Sequence, residues 1–507
     1  MSVLFRRSCG AAIAYAVATQ GAWADLTADQ VWADWQTYLG GMGYEVSGDK
    51  SSAGDVTTIS NMTMTMALPE EDGQFAMTIP EMTLTENGDG TVSLGLPASF
   101  PMVIDGKADG ESFRAELTYS HDGMTVVVSG SPEEMTYDYS AARIGVALAS
   151  IEADGETMPD DVVSAAMNMV NVAGMSKMTI GESRDLDQSF TADSLSYDVA
   201  FDDPESQDAG KLKGNLNTLT FEGSGTVPSD MNTADYQSMI EAGFNFAGEF
   251  NFASGSTEIA GSGEGEEFTM SSVSEGGRFA IVTDADHIGY DIAQNGVKLA
   301  VNTVELPFPI ELAMAQAGIK FEIPVQASDE EQPFAFAMNL TEFTMSDAIW
   351  GMFDPAGALP RDPATIALDT SGTAKVKVNF LDPEVAETLE ATNTPPGELH
   401  SLKINQLLVA MIGAKLTGSG EFTFDNSNLE AFDGMPAPSG IAKLQLVGAN
   451  ALIDKLIGMG LMTDNDAMGA RMMMGMFGVP GDAPDTLNST IEINEQGQIL
   501  ANGQRIK

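Results

Sequence analysis

QPFAFAMNLTEFTMSDAIWGMFDPAGALPRDPATIALDTSGTAKVKV, residues 332–378, alternates apolar and polar side chains twice around a break. Phe334, Phe336, Met338 and Leu340 mark the first alternation, and Ile366 and Leu368 the second. A period of two is the signature of a strand with one buried face. Trp350, Asp354-Pro355 and Leu359-Pro360-Arg361-Asp362-Pro363 lie between them. Proline cannot donate to a central ladder, so this break reads as a rigid crossover between two strand blocks. Arg361, flanked by Asp354 and Asp362, is expected in an ion pair that fixes the crossover, with a clamp on a ligand carboxylate as the alternative. Trp350 is expected to pack under the turn.

The same period governs most of the chain. Met62, Met64 and Met66 alternate with Thr63 and Thr65, and Asn87-Gly88-Asp89-Gly90 is a hairpin turn before Val92. Residues 113–119 and 124–128, separated by His121-Asp122-Gly123, read as a further hairpin. Gly-Ser-Gly recurs at 223–225, 261–263 and 418–420 in strand-like surroundings. With no helix following, these glycines are expected to bend a sheet, not to cradle a phosphate.

Helical signals are few. Thr27 with Gln30 forms a capping box opening a helix whose Val31, Trp32, Trp35, Tyr38 and Leu39 are expected to dock on the sheet. Residues 160–172, 232–242 and 382–389 are further candidates. Near the end, Leu452, Ile453, Leu456 and Ile457 form one apolar stripe, and Thr463 caps a second helix over 467–477. The predicted fold is mainly β: a large curved antiparallel sheet, one elongated or two-lobed, with a short N-terminal helix and a C-terminal helical hairpin. Its expected divisions are 1–24, a signal peptide; 25–225, helix and first β-rich lobe; 226–440, a second lobe; and 441–507, hairpin and terminal strands.

Residues 1–24 combine Arg6-Arg7, an apolar core and Ala22-Trp23-Ala24, the pattern of a secretory signal cleaved after Ala24. The expected location is the periplasm, with the extracellular space second. The one cysteine, Cys9, falls in that segment. The remaining chain therefore excludes disulfides and cysteine chemistry. No later stretch is apolar enough to span a bilayer as a helix. The net charge of −51, from 23 Lys+Arg against 74 Asp+Glu, repels phosphate backbones and excludes nucleic acid as a partner. Solubility accounts for the acidity; cation binding is the sharper alternative. Mean hydropathy of −0.03 marks a folded chain.

Catalytic and metal constellations are missing. His121, His287 and His400 stand far apart, and no nucleophile elbow occurs. Residues 284–289 begin like a calcium loop, but Ile288 sits at an oxygen-ligand position. No catalytic, cofactor or metal residue is assigned, although an acidic hydrolase is carried as an alternative because carboxylate pairs abound. The 31 methionines read mainly as core filling. Met472, Met473, Met474 and Met476 form the one cluster where an apolar partner face competes with that reading.

The run from Ser346 through Val376, with Trp350, Asp354-Pro355 and the Leu359–Pro363 motif, resembles the proteobacterial domain-of-unknown-function family 2125. The N-terminal helix and the ending INEQGQILANGQRI fit the same resemblance. LLVAMIGAKLTGSGEFTF and the helices after it are similar to the C-terminal portion of AsmA- and YdgA-like envelope proteins. AsmA-like proteins are associated with outer-membrane lipid homeostasis and are commonly anchored by a transmembrane helix, which this chain lacks. Together these imply a non-enzymatic envelope protein whose partner is lipid, or an apolar segment of an envelope protein, held on a concave sheet. The alternative is a structural or partner-binding β module.

Overall fold

The computed structural model describes residues 25–506 apart from 69–72, 109–110, 160–161, 204–205, 207, 230–235, 264–265, 383–384, 386–388, 390–394, 428, 430–431 and 433–434. The expected signal peptide lies outside the described residues, as does most of the 382–389 helix candidate. Among the described residues, twenty-six strands join one antiparallel sheet. Five helices accompany it among the described residues: α1 (Ala28–Gly41), α2 (Tyr236–Glu241), α3 (Asp347–Phe353), α4 (Ala449–Gly458) and α5 (Asp464–Phe477). The mainly β fold, the N-terminal helix and the C-terminal helices agree with the sequence pattern.

The enclosed core sits at the N-terminal end. The Thr27 capping box is formed, with Thr27 N–H donating to Gln30 Oε1 at 2.9 Å. α1 buries Ala28, Val31 and Trp32 against Ile59, Met62, Met82 and Leu84. Met62 and Met64 point inward while Thr63 and Thr65 face outward in part, as their alternation requires. Arg184 reaches α1 from the far strand, its guanidinium 4.5 Å over the Tyr38 ring. Burial beside it pushes the Tyr137 phenol far above its usual value.

Three expectations are corrected. Residues 163–172 are not helical but open the strand Val163–Ile180. Val163, Met167 and Val170 do fit a helical spacing. However, Ala165 and Met169 complete a period of two, and the strand is paired on both sides, Met167 with Val146 and with Tyr197. Tertiary pairing overrides the ambiguous local period. Residues 111–122 and 125–131 are not a hairpin: both pair with the long strand Glu134–Ala153, end to end. Finally, the segment after Met345 is not a crossover between blocks. Its flanking strands pair directly, Phe336 opposite Thr370 and Met338 opposite Leu368, so it turns the chain back at the sheet's end.

The strands from 163 to 345 share a kink. Asn171, Thr218, Gly296 and Glu342 have φ of 51, 54, 57 and 53° inside or between strand halves. Register places them on a line across the sheet. Asn171 faces Asp193, donating to its carboxylate at 2.6 Å, and Asp193 lies between the pairs Ala192–Leu219 and Ser194–Asn217 that flank Thr218. The same line meets the break between the strands Glu266–Ser274 and Gly277–Thr283. Side chains change phase there: Leu186, Phe190 and Ala192 are even, whereas Leu195, Tyr197 and Val199 are odd. Val172, Ala192 and Leu219 from one side of the line pack with Met169, Leu195 and Leu216 from the other. The phase change therefore keeps the apolar residues on one face.

Candidate functional site

That apolar face is the outstanding feature of the chain. Phe190, Phe221, Phe250 and Phe279 stand directly opposite one another on successive strands. Tyr290, Phe321 and Phe336 continue the row in their own register. Ring centroids are 5.5 Å apart for Phe190–Phe221 and 5.1 Å for Tyr290–Phe321, within the range of favourable aromatic pairs. Seven strands at about 4.8 Å spacing make this ladder about 30 Å long. Beside the first four rings stand Gln188, Gly223, Gly248 and Ile281 on one flank and Ala192, Leu219, Phe252 and Gly277 on the other; Ile288, Ile292, Ile319, Ile323 and Met338 flank the later ones. Between Val163 and Ile493, register places two charged side chains on this face among the described residues: Arg184 under α1, and Glu266 at the rim opposite Gly263.

The opposite face is polar, apart from exceptions such as Val273, Val282 and Ile441. Lys213 pairs with Asp198 at 3.7 Å, and Arg278 joins Glu249 and Asp291 at 2.8 Å each. The Asn251 amide and the Arg278 guanidinium hold the Glu249 carboxyl below its usual range. These exposed pairs are worth little individually. They set the sidedness of the sheet instead.

Beyond α1 at one end, no second layer covers the apolar face among the described residues. Leu219 is fully buried, but Phe201 remains 48 % exposed and Ile319 43 %. Glycines beneath the rings shape the surface. Gly210 lies opposite Phe201, Gly214 opposite Tyr197, Gly261 opposite Phe268 and Gly372 opposite Phe334. A Cβ on Gly261 would stand 2.3 Å from the Phe268 ring and one on Gly214 2.6 Å from the Tyr197 ring. The rings thus lie down on the backbone, as aromatic cover of a strand glycine does. Among the Gly-Ser-Gly triplets, Gly261 has this role and Gly418 makes room for Leu444. At one edge, Phe201, Leu212, Ile259 and Phe268 line an open hollow of about 670 Å³.

The Trp350 segment closes the sheet end nearby. Trp350 is buried, 5.0 Å from Phe353, and the Arg361 guanidinium sits 5.5 Å over its ring. Arg361 pairs with Asp347, not with its neighbour Asp362. Asp354 is buried and accepts from the N–H groups of Ala358 at 2.8 Å and Leu359 at 2.9 Å. Those donors, Leu359 first, hold its carboxyl below the usual 3.8. Pro355, Pro360 and Pro363 set the bend, with Pro360 near the turn at Gly413. Trp350, Asp347 and Arg361 are thus in contact with one another, as the ion-pair reading expects.

Of the methionine cluster, Met472, Met473 and Met476 are exposed on α5, while Met474 is half-buried. His121 accepts from Met124 N–H, His287 lies 3.0 Å from Asp284, and His400 lies 3.4 Å from Glu331. No group of three or more potential ligands for a metal ion is assembled among the described residues. The aromatic ladder escaped sequence reading because its members come from seven strands. Its available signal was a Phe or Tyr at matched positions in consecutive hairpins.

Fold and face define a class: a one-sided antiparallel sheet with an open apolar surface and an end plug. The family model described as an uncharacterized protein conserved in bacteria, DUF2125, matches residues 245–502, just over half of the chain. The chain belongs to that family, as the resemblance around Trp350 implied. No curated protein and no solved structure matches it. No helix among the described residues is long and apolar enough to cross a membrane, which does not bear on crossing by strands.

Proposed function

We propose that this chain is a non-enzymatic, exported envelope protein that holds the acyl chains of lipids along its apolar face. One observation carries the reading: about 30 Å of exposed aromatic ladder with no carboxylate among its own rings, the nearest register-placed one, Glu266, standing at the rim, in a chain of net charge −51. Apolar surface costs about 25 cal/mol per Å² when left in water, so a face of this extent favours an apolar occupant. The enclosed core under α1 supplies the stability that lets the rest of the sheet stay open. Acyl chains suit the site because they need no hydrogen bonds from the wall and tolerate a graded fit. The kink line, by keeping one face apolar across both halves of each strand, lengthens the available surface along the strands.

The test is organic extraction and mass spectrometry of the purified chain, with uptake of labelled phospholipid from vesicles as a second arm. Co-purified or captured phospholipid is the expected result. A chain that retains none and takes up none sinks the lipid reading.

A further inference from the structure

The strand ends nearest α3, α4 and α5 carry a second apolar surface, distinct from the ladder. The connections after Thr303, Met345, Met411 and Val447 at that end each join strands that pair with one another. Val304, Met352, Met411, Leu461, Met468 and Met472 are all exposed there, Met472 at 72 %. The opposite end shows fewer such side chains among the described residues, with Tyr236, Phe380, Leu429 and Met435. On α5 the exposed residues Met468, Met472 and Met476 follow an i, i+4, i+8 stripe pointing away from the sheet. Ala467 on the other side of the helix is buried.

We infer that this edge docks on a lipid bilayer whose headgroups carry no net charge. Three observations select that partner. First, the tips form a row. The connections after Thr303, Met345, Met411 and Val447 leave alternate strands, so neighbours stand about 10 Å apart and the row spans about 30 Å. A long, shallow row fits a plane better than a pocket. Second, charge is sparse along α5 after its first turn, while exposed Glu305, Asp347, Asp362, Asp464 and Asp466 flank it. From Ala467 to Val479 the one charged residue is Arg471, and it is tied to Asp454 at 2.5 Å. Elsewhere acidic residues outnumber basic ones by 74 to 23, so an anionic surface would be repelled by the flanks. Third, apart from Phe353 the exposed apolar groups are flexible thioethers and aliphatics, and among the described residues the row carries no exposed Trp or Tyr of the kind that anchors protein partners. At 14 residues, α5 is about 21 Å long and would lie in the interface, not cross it.

Vesicle flotation tests the inference. The full chain and the chain beginning at Asp25 are both used, so that residues 1–24 cannot account for binding. Both are expected to float with phosphatidylcholine vesicles and to float less as phosphatidylglycerol is added. Met468→Asp with Met472→Asp should lower flotation about tenfold or more while leaving the unfolding midpoint unchanged, since both side chains are exposed. Failure of the parent chain to float, or equal flotation of the double variant, overturns the inference. So does a dimer of the parent chain that the same two substitutions dissolve, because a second copy would then be the partner. Lipid retention by the ladder is read separately by extraction, so one idea can fail without the other.

Discussion

Arg184 grips Asp34 through both carboxylate oxygens, at 2.5 and 3.0 Å, across 150 positions of sequence. Both side chains are only 8 % exposed, and the guanidinium also covers Tyr38. This pair fastens α1 over the enclosed core, and Arg184 is one of the two charged side chains that register places on the apolar face among the described residues, Glu266 at the rim being the other.

Breaking the pair from one side should therefore be costly. Arg184→Ala or Asp34→Ala leaves a buried charge alone, which costs about 3–5 kcal/mol. Urea unfolding followed by tryptophan emission reads this directly, because Trp32 and Trp35 lie in α1. A double substitution, Arg184→Met with Asp34→Leu, should recover much of the loss. Additive losses would show that the two groups act separately.

Acid should loosen the Trp350 segment through Asp354. Its folded carboxyl is held below 3.8 by the Leu359 and Ala358 amides. A depressed folded pKa contributes stability that is fully present above the unfolded value and lost as pH falls through the folded one. Hydrogen exchange at Ala358 and Leu359 should thus quicken only below about pH 4 in the parent chain. In Asp354→Asn it should already be fast at neutral pH and show no such step.

Two glycine substitutions should move stability in opposite directions. At Gly372 a Cβ would meet the Ser401 carbonyl oxygen at 2.1 Å and the Phe334 ring at 2.6 Å. Gly372→Ala should cost about 1–3 kcal/mol because backbone must shift. At Gly351, in α3, nothing lies within 4 Å. Gly351→Ala should stabilise by about 0.5–1 kcal/mol through the lower entropy of the unfolded chain. Thermal melts of the pair separate the two effects.

Charge placed on the apolar face should abolish lipid capture without unfolding the sheet. Ile319 and Met338 are opposite neighbours and both partly exposed. Ile319→Glu with Met338→Glu should cut co-extracted phospholipid about tenfold or more, since each carboxylate would have to be desolvated by the acyl chain. Lys320→Gln, on the polar face, should leave it unchanged. Equal lipid content in both would point to lipid held elsewhere.

The sequence by itself determined the strand class, the N-terminal helix and the C-terminal helices, because periods of two, a capping box and a Thr cap are local signals. Trp350 and the Leu359–Pro363 motif likewise marked the family. Local reading failed where two periods coincided: residues 163–172 satisfied a helical spacing, and pairing on both flanks made them a strand. It also took the Trp350 segment for a crossover, since nothing local says that Phe336 will lie opposite Thr370. Only the tertiary structure decided which residues share a face. Register across seven strands assembled the aromatic ladder, and left-handed residues at Asn171, Thr218 and Glu342 reversed the side-chain phase midway along their strands. Alternation within one strand names two faces; the pairing of many strands is what joins them into one surface.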